Sequence, residues 1–282
     1  MRAADAARVL AHDDMGRVRR WRPATLPDVE VIEVDQTSLT CRGFEETYAL
    51  WLKTEGATRV RYRRGNHDIH PGEVLLLEPG ETHTVVPTRG PMSCVVLLLS
   101  PKLVSQVAFE HFGQVNEVHW GRVVAPQSSV SAEMLGLVKA LPKLPSLEAK
   151  ARLSRLVRTS IVQLAEPAGG TRNRDVPARG LSRARDLLHA RSSEAVTLDD
   201  LVAAAECTTK QRLIRGFRAA FGFAPHQYLT ELRLQRARDL LQRGHDCGKT
   251  AYLVGFYDQS QMNRHFVKHL GVTPGAYAKA VI

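Results

Sequence analysis

The feature that most constrains this chain is a repeat in its last third. Slid against itself by 49 residues, the sequence brings Leu213, Arg215, Phe217, Phe221, Gly222 and Pro225 onto Met262, Arg264, Phe266, Leu270, Gly271 and Pro274. Apolar falls on apolar, Arg on Arg and Phe on Phe, and both runs close on Gly-x-x-Pro. A shared helical spacing arises easily by chance; the Gly and Pro coincidences at one offset do not. The segment carries two copies of one small helical unit.

In the first copy Thr197, followed three residues later by Asp200, marks a helix N-terminus. Leu198, Leu201, Val202 and Ala205 supply the buried face. Glu206–Thr209 is a short break, and Thr209 caps the next helix, Lys210–Ala220, where Leu213, Phe217 and Phe221 point inward. In the second copy Lys249–Val254 is a short helix and Gly255 supplies a turn conformation that a side chain would resist. Phe256 plugs the corner, and Asp258 caps a helix whose Met262, Phe266 and Leu270 point inward. Helix, short turn, helix is the helix-turn-helix arrangement.

What remains off the inward stripe is mostly amide and cation. The first copy leaves Lys210, Gln211, Ile214, Arg215 and Arg218; the second leaves Gln259, Ser260, Gln261, Asn263, Arg264 and Lys268. Arg reads guanine bidentately, Gln and Asn read adenine, and Lys and Ser hold phosphate. One such face, taken alone, is more often merely solvated. Two of them repeated in one basic domain suit the major groove of DNA. The basic character is local: residues 1–171 hold 21 Lys and Arg against 19 Asp and Glu, whereas residues 172–282 hold 18 against 10. A near-neutral first part joined to a basic second part indicates a polyanion-binding C-terminal domain. Between the copies, HQYLTELRLQRARDLLQRG (226–244) sets Leu229, Leu232, Ala237, Leu240 and Leu241 on one face and Arg233, Arg236 and Arg238 on another. It reads as one connecting helix that fixes the separation of the two reading helices, about 34 Å if they enter successive major grooves.

Upstream, residues 25–125 read as β-structure. EVIEV (30–34), YALWL (48–52), RVRYR (59–63), EVLLLE (73–78) and CVVLLL (94–99) are separated by Gly, Pro, Asn and Asp, the spacing of a sandwich or barrel. Leu135, Val138 and Leu141 begin a helical period, and Leu153, Leu156, Val157, Ile161 and Leu164 continue it in a second amphipathic helix. PAGGTRNRDVP (167–177) is a linker. The first residues lack the apolar core of a signal peptide, and Asp5, Asp13 and Asp14 argue against a transit peptide. The expected organisation is a mobile arm over 1–24, a β-rich domain with helices over 25–166, a linker over 167–178 and an all-α domain over 179–282. Cys41, Cys94, Cys207 and Cys247 are scattered, as in a reduced cytoplasmic protein. No apolar run approaches the length of a membrane span.

The segments TLDDLVAAAECTTKQRLIRGFRAAFGFAPHQYLTELRLQRARDLLQRG and VGFYDQSQMNRHFVKHLGVTPGAYAKA resemble the DNA-binding domain of AraC/XylS-type transcriptional regulators, over about residues 180–281. RLQRARDLL and GFYDQSQMNRHFVKHLGVTP are the most specific pieces. The resemblance implies base-facing positions at Gln211, Ile214 and Arg215 in the first unit and at Gln259, Ser260, Gln261, Asn263 and Arg264 in the second. HPGEVLLLEPGETHTV (70–85) is similar to a corner of the cupin-like sensor barrels that many such regulators carry. The implied fold is α+β in two domains: a cupin-like β-barrel followed by helices, then an all-α domain with two helix-turn-helix units.

A sensor barrel lines its mouth with aromatic and polar groups, and Tyr48, Trp51, Arg61, Tyr62 and His83 are the candidates. An enzymatic cupin binds metal through a His-x-His pair, a Glu and a later His. Here His83 fits the last ligand, but CRGFEETYAL (41–50), where the pair should stand, has no histidine, and His67 and His70 fall on a turn between strands. No metal or other cofactor is expected. In the family the helices after the barrel often pair, so the resemblance supports a homodimer; periodicity alone does not choose between a dimer seam and packing on the barrel.

The leading reading is a cytoplasmic, non-enzymatic regulator that binds promoter DNA, responds to a small-molecule effector in the barrel and, by family habit, activates through RNA polymerase. The alternative is a metal-dependent cupin enzyme fused to a DNA-binding domain, against which the missing His-x-His pair stands. Non-specific DNA packaging would show a basic surface without amide readers, and Gln211, Gln259, Gln261 and Asn263 count against it.

Overall fold

A computed structural model describes residues 9–12, 16–38, 40–63, 65–113, 118–165, 179–270 and 272–281. They form two compact units, one within residues 1–170 and one within 171–282. The expected linker over 167–178 lies outside the described residues, as do the first eight residues of the expected arm.

The first unit is built from strands β1 (Val9–His12), β2 (Gly16–Trp21), β3 (Val29–Thr37), β4 (Cys41–Phe44), β5 (Tyr48–Glu55), β6 (Thr58–Tyr62), β7 (Gly65–Ile69), β8 (Val74–Leu77), β9 (Thr82–Pro87), β10 (Met92–Leu99) and β11 (Val124–Ala125). With them go helices α1 (Pro101–Phe112), α2 (Ser129–Ala140) and α3 (Ser146–Leu164). The expected barrel is realised as two facing sheets, ordered β1-β2-β3-β10-β5-β8-β11 and β4-β9-β6-β7. The larger sheet is covered on both faces. Leu50, Leu52, Val74, Leu76, Leu97 and Leu99 pack with Met134, Leu137, Leu153, Leu156 and Val157 of α2 and α3. Ala49, Leu75, Leu77, Cys94, Val96 and Leu98 face Val60, Tyr62, Ile69 and Val85 of the smaller sheet. That double burial explains why VLLL and CVVLLL are continuous apolar runs, not alternating ones. The stripe of α3 therefore lies in this core, which removes Leu153, Leu156, Val157 and Leu164 from any seam between chains.

Three expectations need correction here. Residues 9–12 and 16–21 are sheet, not arm: β2 pairs with β3 in a register that sets Arg19 opposite Glu33 and Arg17 opposite Asp35. Arg19 and Glu33 meet at 3.1 Å, Arg20 pairs with the buried Glu30, and Trp21 is in the core. Opposite charges across strands hold such an edge in place. Pro101–Phe112, within the stretch read as β, is helical. Ser100 accepts the N–H of Leu103 and Pro101 stands in the first turn, a start signal that Ser-Pro in the sequence already carried. His67 sits on strand β7, paired with Val60, not on a turn.

The second unit is all helix: α4 (Arg179–Ala190), α5 (Leu198–Ala204), α6 (Lys210–Phe221), α7 (Pro225–Gln242), α8 (Cys247–Val254), α9 (Gln259–Leu270) and α10 (Pro274–Val281). The repeat extends beyond the residues first aligned. Thr197 caps α5, and its equivalent Asp246 caps α8, which begins two residues before the expected start at Lys249, by accepting the N–H groups of Gly248 and Lys249 at 2.8 and 3.0 Å. Tyr228 lies edge-on to Phe217 at 5.5 Å, and its equivalent Tyr277 lies against Phe266 at 5.4 Å. Each half is a small aromatic core closed from outside by a pair of helices of 7–12 residues.

Candidate functional site

In the second unit, Lys210, Gln211, Arg215 and Arg218 of α6 are exposed, as are Gln259, Ser260, Arg264 and Lys268 of α9; Ile214, Gln261 and Asn263 are half-buried. Leu213 and Phe217, and Met262 and Phe266, are buried behind them. Each helix thus has an apolar back and a polar front. Two predicted readers already have work in the fold. Lys210 Nζ bonds Asp199 of α5 at 2.8 Å, an exposed pair that is worth little and can be exchanged for phosphate. Gln261 Oε1 accepts the N–H of Tyr257 at 2.9 Å while Asp258 accepts the N–H of Gln261 at 2.6 Å. This reciprocal arrangement spends the Gln261 carbonyl on the helix start. Its side-chain NH2 is what it has left to offer a base.

The arginines of the connecting helix act inward. Arg233 Nε donates to the Ser192 carbonyl and its NH2 to the Glu194 carbonyl, both at 2.7 Å. Arg236 donates to the His189 carbonyl at 3.0 Å and to the Ser192 hydroxyl. The Arg233 guanidinium also lies 6.0 Å from the Phe256 ring, and its burial lowers its pKa. The loop after α4 is therefore fastened to α7, and α7 to the corner of the second copy. Gly255 completes the joint. A Cβ there would lie 2.6 Å from the Ser193 carbonyl oxygen, so only glycine lets the two copies close up. Sequence reading placed these arginines on a basic surface because spacing alone does not tell a carbonyl partner from solvent. It also passed over Tyr252 and Tyr257, which are 81% and 91% exposed beside the turn of the second copy.

In the first unit the five candidate ligand contacts part company. Tyr48 faces the helices, with its hydroxyl on the Val118 carbonyl at 2.8 Å and its ring edge-on to Trp120. Arg61 is exposed, because it alternates with the buried Val60 and Tyr62 along β6. Tyr62 is buried at one end of the space between the sheets, where its hydroxyl bonds Glu81 and accepts the N–H of Glu78. Trp51 and His83 come together, ring to ring at 5.8 Å, across the inter-sheet space, and the register of β6 with β9 sets Tyr62 opposite His83. His83 is buried with its Nδ1 unpartnered among the described residues, and burial pulls its pKa down. Beside Trp51 lies a cavity of about 10 Å³, the volume of one water, lined by Trp51, Lys53, Thr58, Val60, Ile69, Leu75, Val85 and Met92. Lys53 was not singled out from the sequence. It follows Trp51 by two residues on β5 and so points to the same side of the sheet.

A charged cluster adjoins Tyr62. Arg63 pairs with Glu78 and with Glu81, and donates to the Trp120 carbonyl at 2.9 Å. His119 Nδ1 lies 3.1 Å from Glu78, which also accepts the Trp120 N–H at 2.8 Å. Burial works to raise the Glu78 carboxyl, but Arg63, the Trp120 N–H and His119 together hold it below the ordinary carboxylate range. The cluster is satisfied, which marks it as a clasp between the sheet and the 118–120 segment. Among the described residues no three His, Cys, Asp or Glu side chains converge as a metal site would need.

Comparison with known proteins follows the same division. A family model described as an AraC-like ligand binding domain matches residues 26–162, and one described as a helix-turn-helix domain matches residues 202–280. The chain is 23% identical over 224 residues to the HTH-type transcriptional regulator YbfI of Bacillus subtilis, spanning 78% of this chain and 80% of that one. It is 34% identical over 83 residues to the HTH-type transcriptional regulator MtrA of Neisseria gonorrhoeae, 29% of this chain and 27% of the other. An apo ToxT from Vibrio cholerae superposes with a TM-score of 0.60 at 14% identity, covering 90% of this chain and 98% of that one. ToxT with an unsaturated fatty acid bound superposes at 0.55 and 13%, covering 89% and 94%. At these identities the structural likeness speaks for the fold.

Proposed function

The chain belongs to the AraC family of DNA-binding transcriptional regulators, and from that premise we propose how its two units divide the work. The helical unit binds promoter DNA. Gln211, Ile214 and Arg215 of α6, and Gln259, Ser260, Asn263 and Arg264 of α9, meet base edges, with Gln261 contributing only its amide NH2. Lys210, Arg218 and Lys268 hold phosphate, and the exposed Tyr252 and Tyr257 add backbone contacts. Ile214 makes an apolar contact, of the kind a thymine methyl accepts.

The β-sandwich takes up a small-molecule effector between its sheets, against Trp51 and His83, and performs no catalysis of its own. Effector binding changes DNA affinity by favouring one of two states of the protein. The regulator acts in the cytoplasm, activates transcription through RNA polymerase and works as a homodimer. With the α3 stripe committed to its own core, a dimer contact falls on other surfaces of the first unit. The organisation proposed is a sensor over 25–166, a linker over 167–178 and a DNA-binding domain over 179–282.

The observation that carries this reading is the pair of helix-turn-helix copies, each with a buried apolar back and an exposed amide-and-cation front, fastened together by α7. Binding of the full chain to DNA from upstream of its own gene, against random DNA and with salt titrated, tests it. The expected preference is on the order of 10³-fold or more. Equal affinity for the two DNAs, falling steeply with salt, would mean phosphate contacts alone and would overturn base reading.

A further inference from the structure

Lys53 is the anomaly of the first unit. Its side chain is 2% exposed and lines the apolar cavity beside Trp51, and its Nζ has no hydrogen-bond partner among the described residues. Its backbone is fully used, bonded to Glu73 and Gly72 across the turn before β8, so the residue cannot swing out without breaking sheet. The neighbouring strand sets Cys94 opposite it, and burial pulls the ammonium pKa down to about 8. An unpaired buried ammonium is costly, and a methionine of similar reach would fill the same space without the charge. A second orphan, His83 Nδ1, lies across the Trp51 ring.

Resting on the sensor reading above, we propose that Lys53 is the anchor for the effector and that the effector is a monocarboxylic acid with an apolar body. The lining decides the class. Among the described residues Lys53 Nζ meets no hydrogen-bond partner, only the nearby Cys94 thiol as a group that favours its charge, so it calls for one negative charge, and a cationic ligand would be repelled. A sugar or other polyol needs many polar partners, and this lining offers few. A phosphate ester brings a second charge and a hydration shell that Val60, Ile69, Leu75, Val85 and Met92 cannot replace. A carboxylate accepts from Lys53 Nζ, while its hydrocarbon part displaces apolar contacts beside Trp51. The cavity of about 10 Å³ holds no such molecule as it stands. Entry therefore requires the two sheets to part, and the countercharge that settles Lys53 is also what favours the opened state.

The test uses the full chain and two probes of one length, octanoate and octan-1-ol, read by the thermal midpoint of the first unit and by tryptophan fluorescence. Wild type is expected to bind octanoate at least 10-fold more tightly than octanol. Lys53→Met is expected to melt higher than wild type without any probe, which shows that it folds, and to lose the preference for the acid. Lys53→Arg is expected to keep it. Equal binding of acid and alcohol by wild type, or unchanged octanoate binding by Lys53→Met, overturns the acid assignment while leaving a sensor for neutral molecules. Absence of any response to either probe overturns the assignment too. DNA affinity with and without octanoate is the separate readout: an acid bound through Lys53 that leaves DNA affinity unchanged supports the anion site and refutes the sensor reading.

Discussion

At positions 206 and 255 the backbone turns the same way, with φ of 49° and 94°. These are equivalent places in the two copies, each ending the first helix of its pair. One is held by glycine and the other by glutamate, so the same turn is relaxed in one copy and strained in the other. Glu206 is exposed and its pair with Arg183 at 3.0 Å is a surface contact, which contributes little. Glu206→Gly should therefore raise the stability of the helical unit by about 0.5–1 kcal/mol, measured by urea unfolding. Gly255→Ala should lower it by about 2 kcal/mol or more, since the new Cβ also meets the Ser193 backbone. Lys53 gives a prediction of another kind. Its folded pKa of about 8 lies below the ordinary 10.5. Between those values the unfolded chain holds a proton that the folded chain has shed, so stability rises with pH across that window; below pH 8 the full cost, roughly 3 kcal/mol at most, is present. Lys53→Met should flatten this rise in a series of melts from pH 7 to 10.5, and an unchanged slope would show that another group sets it.

Among the elements, α7 has a double duty that its sequence only half displayed. The apolar face of LRLQRARDLL was legible, because Leu232, Ala237 and Leu241 recur at helical spacing. The arginines were legible as basic and not as structural, since the carbonyls they bind belong to the end of α4 and the loop after it, some forty residues away. Arg233→Ala leaves the Ser192 and Glu194 carbonyls without their donor, at a cost of roughly 1.5–3 kcal/mol. It should weaken binding to a complete site more than to a fragment carrying one half of it, by fluorescence anisotropy on both; equal losses would place Arg233 at the DNA instead. The same contrast runs through the first unit. Strands buried on both faces announce themselves as VLLL and CVVLLL. β2 does not, because its hold on β3 comes from Arg19, Arg20 and their acids, which look like any surface charges in a row of letters. Helix α1 hid behind a β-like composition, although Ser100-Pro101 marked its start.

For the whole molecule, the order of parts was readable and the contents of the sensor were not. Periodicity, the 49-residue repeat and the Pro-Gly turns point to the β-rich and helical units, and the comparisons agree with that division. Which side chains share the inter-sheet space depends on strand register. A shift of one residue would have put Tyr48, Leu50 and Leu52 there in place of Ala49, Trp51 and Lys53. Of the five residues named for the effector, Tyr48 and Arg61 fall on the other faces of their strands, Tyr62 shares the space but is bonded to Glu78 and Glu81, and the most telling residue, Lys53, carries no mark in the sequence.

Helix α7, with 18 residues, is about 27 Å long and clamped near its middle. A rod of that kind measures as well as joins. Two half-sites read by α6 and α9 must lie on one face of the duplex at one separation, so the promoter is bound in phase or not at all. Adding about five base pairs between the half-sites carries one of them to the far side of the duplex and should abolish two-handed binding. Adding a whole turn restores the face but not the reach, and binding should stay at the level of a single half-site. The protein would thus be a gauge as much as a reader, and its operators would tolerate changed letters more readily than a changed interval.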